Sequence, residues 1–306
     1  MGILLVTGAS GYVGRAITAR ALASGWRVRT IARNPMAARR LLPTAVEVIP
    51  GDLRAPDVLR SAVENATAVI HLTAISYERG KDSFESIHVH GTRKLLEAVA
   101  STGVERIIYM SALGSRPNAT SRFLQSRWAA EQAIRDCGLN WAIIRPSLVL
   151  GPGDYFVSLH LRLIRSLPFL PVIGKGDQLL QPIALDNLAH ATMRVLDNPA
   201  HATYDAVGPL RLRLTELQNL IMKLVGRRRL RLHIPIPLAQ SFTPVFEHLT
   251  TPPMLTRDQL LLLREDNIGD PGPLQRLFQL RLQTPQEALG YLKGLKIDQV
   301  RGSRIG

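Results

Sequence analysis

Apolar positions fall in short runs separated by stretches of helical spacing throughout the first half of the chain. Residues 3 to 7, Val28 to Ala32, Val46 to Ile49, Ala68 to Leu72, Ile107 to Met110 and Trp141 to Ile144 read as strands. Val13 to Ser24, Pro56 to Val63, residues 90 to 102 and residues 124 to 137 read as helices between them. Strands this apolar, joined by helices of this length, predict a parallel sheet covered on both faces.

After Arg145-Pro146 the alternation weakens, and Pro152, Pro168, Pro171 and several glycines break the chain into shorter pieces. Residues 187 to 197 predict a helix and 203 to 207 a short strand. Thr215 is expected to cap a helix whose apolar face is Leu217, Leu220, Ile221 and Leu224, with Gly226 stopping it. Thr256, with Gln259 three residues on, predicts the start of another apolar helix over 259 to 264. The expected organisation is a main domain over 1–150 and a smaller α/β lobe over 151–306. The lobe would lie over the carboxyl ends of the strands, with returns to the main domain allowed.

With 306 residues, 46% of them hydrophobic, the chain can bury a large core. Its single cysteine, Cys137, excludes an intramolecular disulfide framework and an all-cysteine metal site. No apolar run approaches the roughly 18 residues of a membrane span, and the opening residues form a strand rather than a signal peptide. The expected location is cytoplasmic, at most peripheral on the cytoplasmic face of a membrane. The net charge of +14 comes from 32 arginines and 6 lysines against 24 acidic residues. That surface suits an acidic protein partner or an anionic membrane surface. Nucleic acid is disfavoured, because no zinc pattern, aromatic binding motif or long basic tail accompanies the charge. The run from Gly226 to Pro235 concentrates arginines among Leu230, Leu232 and Ile234. It reads equally as a docking surface or as an ordinary strand leaving a basic helix end.

The first strand runs straight into Thr7-Gly8-Ala9-Ser10-Gly11-Tyr12-Val13-Gly14. Gly8 permits a sharp turn, Gly11 a close approach of backbone to a pyrophosphate, and Gly14 close packing of the first helix on the sheet. With Ser10, Tyr12 and Val13 at the helix N-terminus, this is a dinucleotide cradle on a Rossmann-type doubly wound sheet. The second strand ends in Ala32-Arg33, where an acidic residue would bind an adenosine ribose. Arg33 instead offers a fork for a 2'-phosphate, so NADP(H) is expected over NAD(H). Asp52, followed by Leu53, either accepts a hydrogen bond from the adenine amino group or caps a helix. Leu72, Thr73 and Ala74 are placed along the pyrophosphate and ribose path. Gly91-Thr92 either supports the cofactor's floor or serves packing.

These motifs, with Leu95 to Ala98, Arg145-Pro146 and Gly151-Pro152-Gly153-Asp154, resemble the extended, or atypical, short-chain dehydrogenase/reductase superfamily. Gln181-Pro182-Ile183, Gly208-Pro209, Pro252-Pro253-Met254 through Gln259, Glu265-Asp266-Asn267, Thr284-Pro285 and Tyr291-Leu292 resemble a narrower group. That group is related to the nucleotide-binding accessory subunit of respiratory complex I. The superfamily resemblance implies a nicotinamide cofactor and, in active members, a tyrosine acid, a lysine four residues later, and a serine or threonine that orients substrate. The corresponding segment here places Phe123 at the tyrosine and Arg127 at the lysine. Phenylalanine has no proton to exchange. Arg127 retains the ability to hold a ribose and is a poor proton shuttle at neutral pH. Pro146 falls at the cofactor-side end of its strand.

Ser111 keeps a hydroxyl near the substrate position, although Ala112 stands where many active relatives present theirs. Tyr109 and Tyr155 are substitute acids to be considered. His88 and His90, two apart on a helix, do not share a face and predict no metal site. The resemblance therefore implies an NADP(H)-binding accessory or assembly protein, structural and redox-silent, of a respiratory or other membrane complex. The alternative is an NAD(P)H-dependent oxidoreductase or epimerase-like enzyme with a non-standard proton donor.

Overall fold

A computed structural model of the chain describes residues 2–198, 200–249, 253 and 255–295, without the side chains of 244–249 and 278. Its centre is a seven-stranded sheet containing β1 (Ile3–Thr7), β2 (Arg27–Ala32), β3 (Glu47–Pro50), β4 (Ala66–His71), β5 (Arg106–Met110) and β6 (Asn140–Pro146). The seventh strand, Ala202–Ala206, pairs with β6, and the order across the sheet is Ala202–Ala206, β6, β5, β4, β1, β2, β3. Every pairing in it is parallel. The helices α1 (Tyr12–Ala23), α2 (Pro35–Leu41), α3 (Pro56–Val63), α4 (Gly91–Val99) and α5 (Arg122–Arg135) follow successive strands. The chain leaves β1 towards β2 on one side and pairs β1 with β4 on the other. This strand reversal is where open α/β sheets bind ligands.

The expected strands appear because their apolar runs are buried on both faces: all five residues of β1 are buried. Leu5, Val69, Ile107, Tyr109 and Ile143 from the sheet share a core with Leu59, Leu95, Val99, Ala130 and Ile134 from the helices. Arg29, an arginine inside β2, is accommodated because its guanidinium caps the end of α3. It donates to the carbonyls of Ala62 (3.2 Å) and Glu64 (2.6 Å) and to Glu47 (2.8 Å).

Several boundaries lie one or two residues from the expectation, as at α5, and the helix α2 was not expected; two departures have a visible local cause. The helix expected over 90 to 102 is preceded by a π-helical turn, Glu85–His90, and α4 proper ends at Val99. Thr92 Oγ1 donates back to the His88 carbonyl (2.5 Å), a side-chain bond that competes with regular helix pairing. Thr215 is not a cap. The helix Leu214–Leu224 starts one residue earlier, and the Glu216 carboxylate accepts from the backbone of Arg213 (2.7 Å). Thr256 and Gln259 do form a reciprocal capping box.

The chain divides into two compact units. The first takes the residues through Pro146, Asp186–Ala206 and Gly272–Leu280; the second takes Ser147–Leu185, Val207–Pro271 and the described residues from Arg281. The second unit has its own core, including Leu150, Val157, Leu161, Ile164, Leu170, Leu217, Ile221 and Leu289. Its motifs act as braces. Gln181 Nε2 donates to the Gly208 carbonyl (2.9 Å), Gln181 Oε1 accepts from Gly269 (3.1 Å), and Asn267 pairs with Leu179 (2.8 Å). A Cβ on Gly208 would lie 1.9 Å from the Pro182 carbonyl oxygen, which explains the glycine. Pro252 and Met254 lie outside the described residues.

Leu230–Ile234 is a strand parallel to Phe169–Ile173, with Leu230 and Leu232 exposed on it. Leu238 and Phe242, on the helix Ile236–Leu249, are also exposed. No described helix is long and apolar enough to cross a membrane.

Candidate functional site

The parallel sheet sets the carboxyl ends of β1 to β6 along one edge, and the loops leaving them carry most of the candidate residues. Gly8 turns the chain at φ +74°, and a Cβ there would sit 3.1 Å from the Thr73 backbone nitrogen. Leu72 N–H donates to the Thr7 carbonyl (3.2 Å), which joins the loop after β4 to the end of β1. A Cβ on Gly14 would meet the Gly8 carbonyl oxygen at 2.2 Å, so α1 packs where only glycine fits. At Gly11, the N-cap of α1, a Cβ would meet that same oxygen alone, at 3.2 Å, and otherwise open space. Ser10 lies beside it with its carbonyl accepting from Arg15 (3.3 Å); Tyr12 and Val13 begin the helix. These features fit a dinucleotide: the turn is closed by packing at Gly8 and Gly14, open at Gly11, and leads into the N-terminus of α1.

On the far side of β1, Arg33 follows β2 and Asp52 follows β3. Arg33 pairs with Asp82, and Arg54 lies 3.0 Å from the same carboxylate. Asp52 caps no helix, since Ala55 holds that position in α3. Its carboxylate accepts from Arg54 Nε (2.9 Å), Nη2 (2.7 Å) and backbone N–H (2.8 Å). The Arg54 hydrogen bonds hold Asp52 below the usual carboxylate range, against the opposing effect of burial. Leu53 is buried in the core and Gly91 lies over it, its Cβ position 3.1 Å from the Leu53 side chain. Thr73 and Ala74 continue from β4 as irregular backbone.

On the other side of the reversal, α5 presents Phe123, Arg127 and Glu131 at intervals of four, hence on one face. Arg127 is 3% exposed. It donates to the Met110 carbonyl at the end of β5 and stacks over the Tyr109 ring, with Cζ 4.9 Å from the centroid. Its Nε and Nη1 are buried without a partner among the described residues. Buried guanidinium N–H groups left unpaired are costly. Two such donors beside the strand ends fit the hydroxyls of a cofactor ribose.

Phe123 occupies an aromatic cluster, edge-on to Phe84 at 5.7 Å and to His88 at 5.6 Å between centroids. No hydroxyl is offered from this position.

Ser111 is buried, and its hydroxyl donates to Glu131 (2.6 Å). The fully buried Glu131 carboxylate also accepts from Arg145 (2.8 and 2.6 Å) and Arg135 (2.9 Å). Pro146 ends β6, with its carbonyl accepting from Leu113 (2.9 Å). Tyr109 is wholly buried, its hydroxyl has no partner among the described residues, and burial pushes its pKa up to about 12 despite the opposing charge of Arg127. It therefore holds its proton and has no exposed face. Tyr155 belongs to the second unit, where its hydroxyl donates to the Pro253 carbonyl (3.0 Å).

A buried hydrogen-bonded chain that no local sequence pattern signals lies beneath this site and links His71, Thr92 and Thr7. Thr92 donates to the His88 carbonyl, so its oxygen accepts from His71 Nε2 (2.9 Å), and His71 Nδ1 accepts from Thr7 Oγ1 (2.6 Å). His88 Nε2 accepts from Ile75 N–H (3.0 Å), so Nδ1 carries the proton and donates to Ser126 Oγ (2.8 Å). Both rings are neutral, with pKa values pushed down to about 3 for His71 and about 2 for His88, first by burial and then by the charge of Arg127. His90 faces Glu85 instead (3.3 Å).

Residues 8–154 match a family of NAD(P)H-binding proteins. Over 94% of its length the chain is 26% identical to NADH dehydrogenase (ubiquinone) 1 alpha subcomplex subunit 9 of Arabidopsis thaliana, covering 76% of that protein. It is also 26% identical to the NADH-ubiquinone oxidoreductase 40 kDa subunit of Neurospora crassa, over 87% of this chain and 72% of the other. A ceramide reductase of Caulobacter vibrioides is 30% identical over 58% of this chain and 56% of its own length. Among solved structures, the UDP-glucose 4-epimerase of Thermus thermophilus with NAD superposes with a TM-score of 0.73 at 19% identity. That match covers 95% of this chain and 99% of the epimerase. Such a likeness at low identity concerns the fold.

Proposed function

Since the chain is an extended short-chain dehydrogenase/reductase of the group resembling the nucleotide-binding accessory subunit of respiratory complex I, we propose that it holds its nicotinamide dinucleotide as a structural element. In this reading it is a redox-silent accessory or assembly protein of a membrane-associated complex. The observation that carries the reading is Phe123, whose ring packs against Phe84 and His88 where active relatives present a titratable hydroxyl. When bound, the cofactor would supply hydride chemistry. The chain's residues supply binding: Gly8 to Gly14 for the pyrophosphate, Arg127 for a ribose, and Asp52 and Arg33 at the adenosine end. Leu53 supports that end from beneath, Leu72 to Ala74 line the path, and Pro146 closes the strand end. Arg33 supports NADP(H) over NAD(H), because a forked guanidinium matches a 2'-phosphate.

Binding of a ligand to the native state alone contributes folding free energy whether or not it turns over. A complex partner is supported by the mitochondrial relatives, which are named as subunits. The exposed Leu230, Leu232, Leu238 and Phe242, together with the exposed Arg227 and Arg228, support docking to an acidic partner or an anionic membrane surface, peripherally.

The test is equilibrium binding of NADPH and NADH to the purified protein and its Arg33→Ala variant, with cofactor oxidation followed in the same samples. Binding that prefers NADPH, falls in the variant and consumes no cofactor is the expected result. An unchanged preference in the variant would remove the assignment of Arg33. The similarity to a ceramide reductase favours a second reading, an NAD(P)H-dependent oxidoreductase with a non-standard proton donor. Sustained, cofactor-stoichiometric reduction of a carbonyl substrate would establish it in place of the first.

A further inference from the structure

Asp82 stands at the adenosine end of the site, held there by a tight turn. Arg79 and Asp82 exchange backbone hydrogen bonds of 2.8 and 3.0 Å, with Gly80 at φ +57° between them. Ser83 and Ser86 bond each other's backbone N–H (2.9 and 3.0 Å), and Phe84 N–H donates to Glu78 (2.9 Å), so the turn is tied to the helix that follows. The Asp82 carboxylate reaches two cations that leave different strands: Arg33 after β2 and Arg54 after β3. Arg54 is also gripped by both oxygens of Asp52 and donates to the Lys81 carbonyl (3.2 Å). Four charges therefore alternate in sequence, Arg33, Asp82, Arg54, Asp52, and sum to zero.

The two arginines are not equivalent. Arg54 is 28% exposed and held from two sides, whereas Arg33 is 59% exposed, has Asp82 as its ion-pair partner among the described residues, and acts on Asp52 only at longer range. The contact that a ligand can replace is the one between Arg33 and Asp82. Resting on the reading of Arg33 as the adenosine-side recognition residue, we propose that Asp82 is a specificity-determining residue: it occupies Arg33 in place of a 2'-phosphate and so weakens selection for the phosphorylated dinucleotide. A 2'-phosphate arriving at Arg33 must displace this carboxylate and then remain near a like charge, which Arg54 keeps in place. A 2'-hydroxyl brings no charge and meets no such opposition. The chain's preference for NADPH is accordingly smaller than Arg33 alone would give.

The experiment titrates NADPH and NADH into the full-length wild type, Asp82→Asn, Arg33→Ala and the double variant at low salt. Asp82→Asn should bind NADPH about three- to tenfold more tightly, the scale of one partly exposed charge contact acting on a divalent group. NADH affinity should stay within about twofold, which also reports an intact fold. The gain should vanish when Arg33 is replaced, and Asp82→Ala should reproduce the direction. An Asp82→Asn variant with an unchanged or lowered NADPH to NADH ratio overturns the inference. If Arg33→Ala leaves the wild-type preference untouched, the Arg33 reading falls with it. A gain that persists without Arg33 overturns the displacement argument while leaving the dinucleotide site in place. No binding of either dinucleotide by the wild type removes the site and the inference together.

Discussion

The guanidinium of Arg127 lies over the ring of Tyr109, Cζ 4.9 Å from its centroid, with both residues enclosed in the protein. A buried cation held by one carbonyl and a ring face, and with two donors unpaired, is an unstable arrangement until another group meets it. Arg127→Met, which keeps length and removes the donors, is expected to weaken dinucleotide binding by about tenfold or more, the scale of one or two charged hydrogen bonds. Its fold should be at least as stable as the wild type's without ligand. Titration together with thermal unfolding checks both; unchanged affinity would show that the two donors face no ligand.

Two glycines of the same loop should respond differently to alanine. At Gly14 the new Cβ would lie 2.2 Å from the Gly8 oxygen and 2.8 Å from Ala9 backbone, so Gly14→Ala should lower stability and binding together. At Gly11 the only close atom is at 3.2 Å, so Gly11→Ala should fold and bind dinucleotide less tightly. Circular dichroism and titration of the pair separate the helix-packing role from the ligand-approach role. Wild-type affinity in Gly11→Ala would contradict the assigned approach.

His71 and His88 tie stability to pH. Their folded pKa values, about 3 and about 2, lie below the ordinary value of 6.5, so the unfolded chain takes up protons first as pH falls. The stability they contribute is whole above about pH 6.5 and is lost on acidification towards the folded values, by up to about 1.4 kcal/mol per pH unit for each ring. Buried His160, pushed down to about 4, acts in the same direction. Urea unfolding between about pH 7 and 5 should show this slope, and His88→Gln should remove about one proton from it. Stability independent of pH across that window would refute the assignment of neutral rings.

Glu131 gathers Ser111, Arg135 and Arg145 around one buried carboxylate. Replacing it by glutamine leaves two arginines near an uncharged group, and a loss of about 3–5 kcal/mol is expected from breaking such a buried arrangement. Chemical denaturation measures it. A change below about 1 kcal/mol would mean that solvent screens the pair far more than its burial suggests.

The sheet was legible because its strands are apolar on both faces, and the turn from Gly8 to Gly14 because glycine spacing there is dictated by packing. The departure at Phe123 and Arg127 was legible through the superfamily resemblance, which implies a tyrosine and a lysine at these two positions. What local pattern does not carry is pairing across the fold. Glu131 on α5 carries no signal of its own in the sequence, and its partners come from Arg145 on β6 and Ser111 just beyond β5. Asp82 sits in a polar stretch with no periodicity, and its two arginines are 49 and 28 positions away in sequence. His71 closes an apolar strand and gains its meaning only from Thr7 and Thr92. Thr215 is no cap because the helix begins at Leu214 with Arg213 as its N-cap, and the Arg213 backbone N–H donates to the Glu216 carboxylate, a reach that no local pattern around Thr215 signals.

The central claim, a dinucleotide held but not turned over, is tested most directly by titrating NADPH into the purified full-length protein and following binding heat, thermal protection and nicotinamide absorbance on one sample. The account predicts one cofactor bound per chain, a raised unfolding temperature and no loss of reduced cofactor over prolonged incubation with carbonyl substrates. Absence of binding, or continued substrate-dependent oxidation of NADPH, would contradict it.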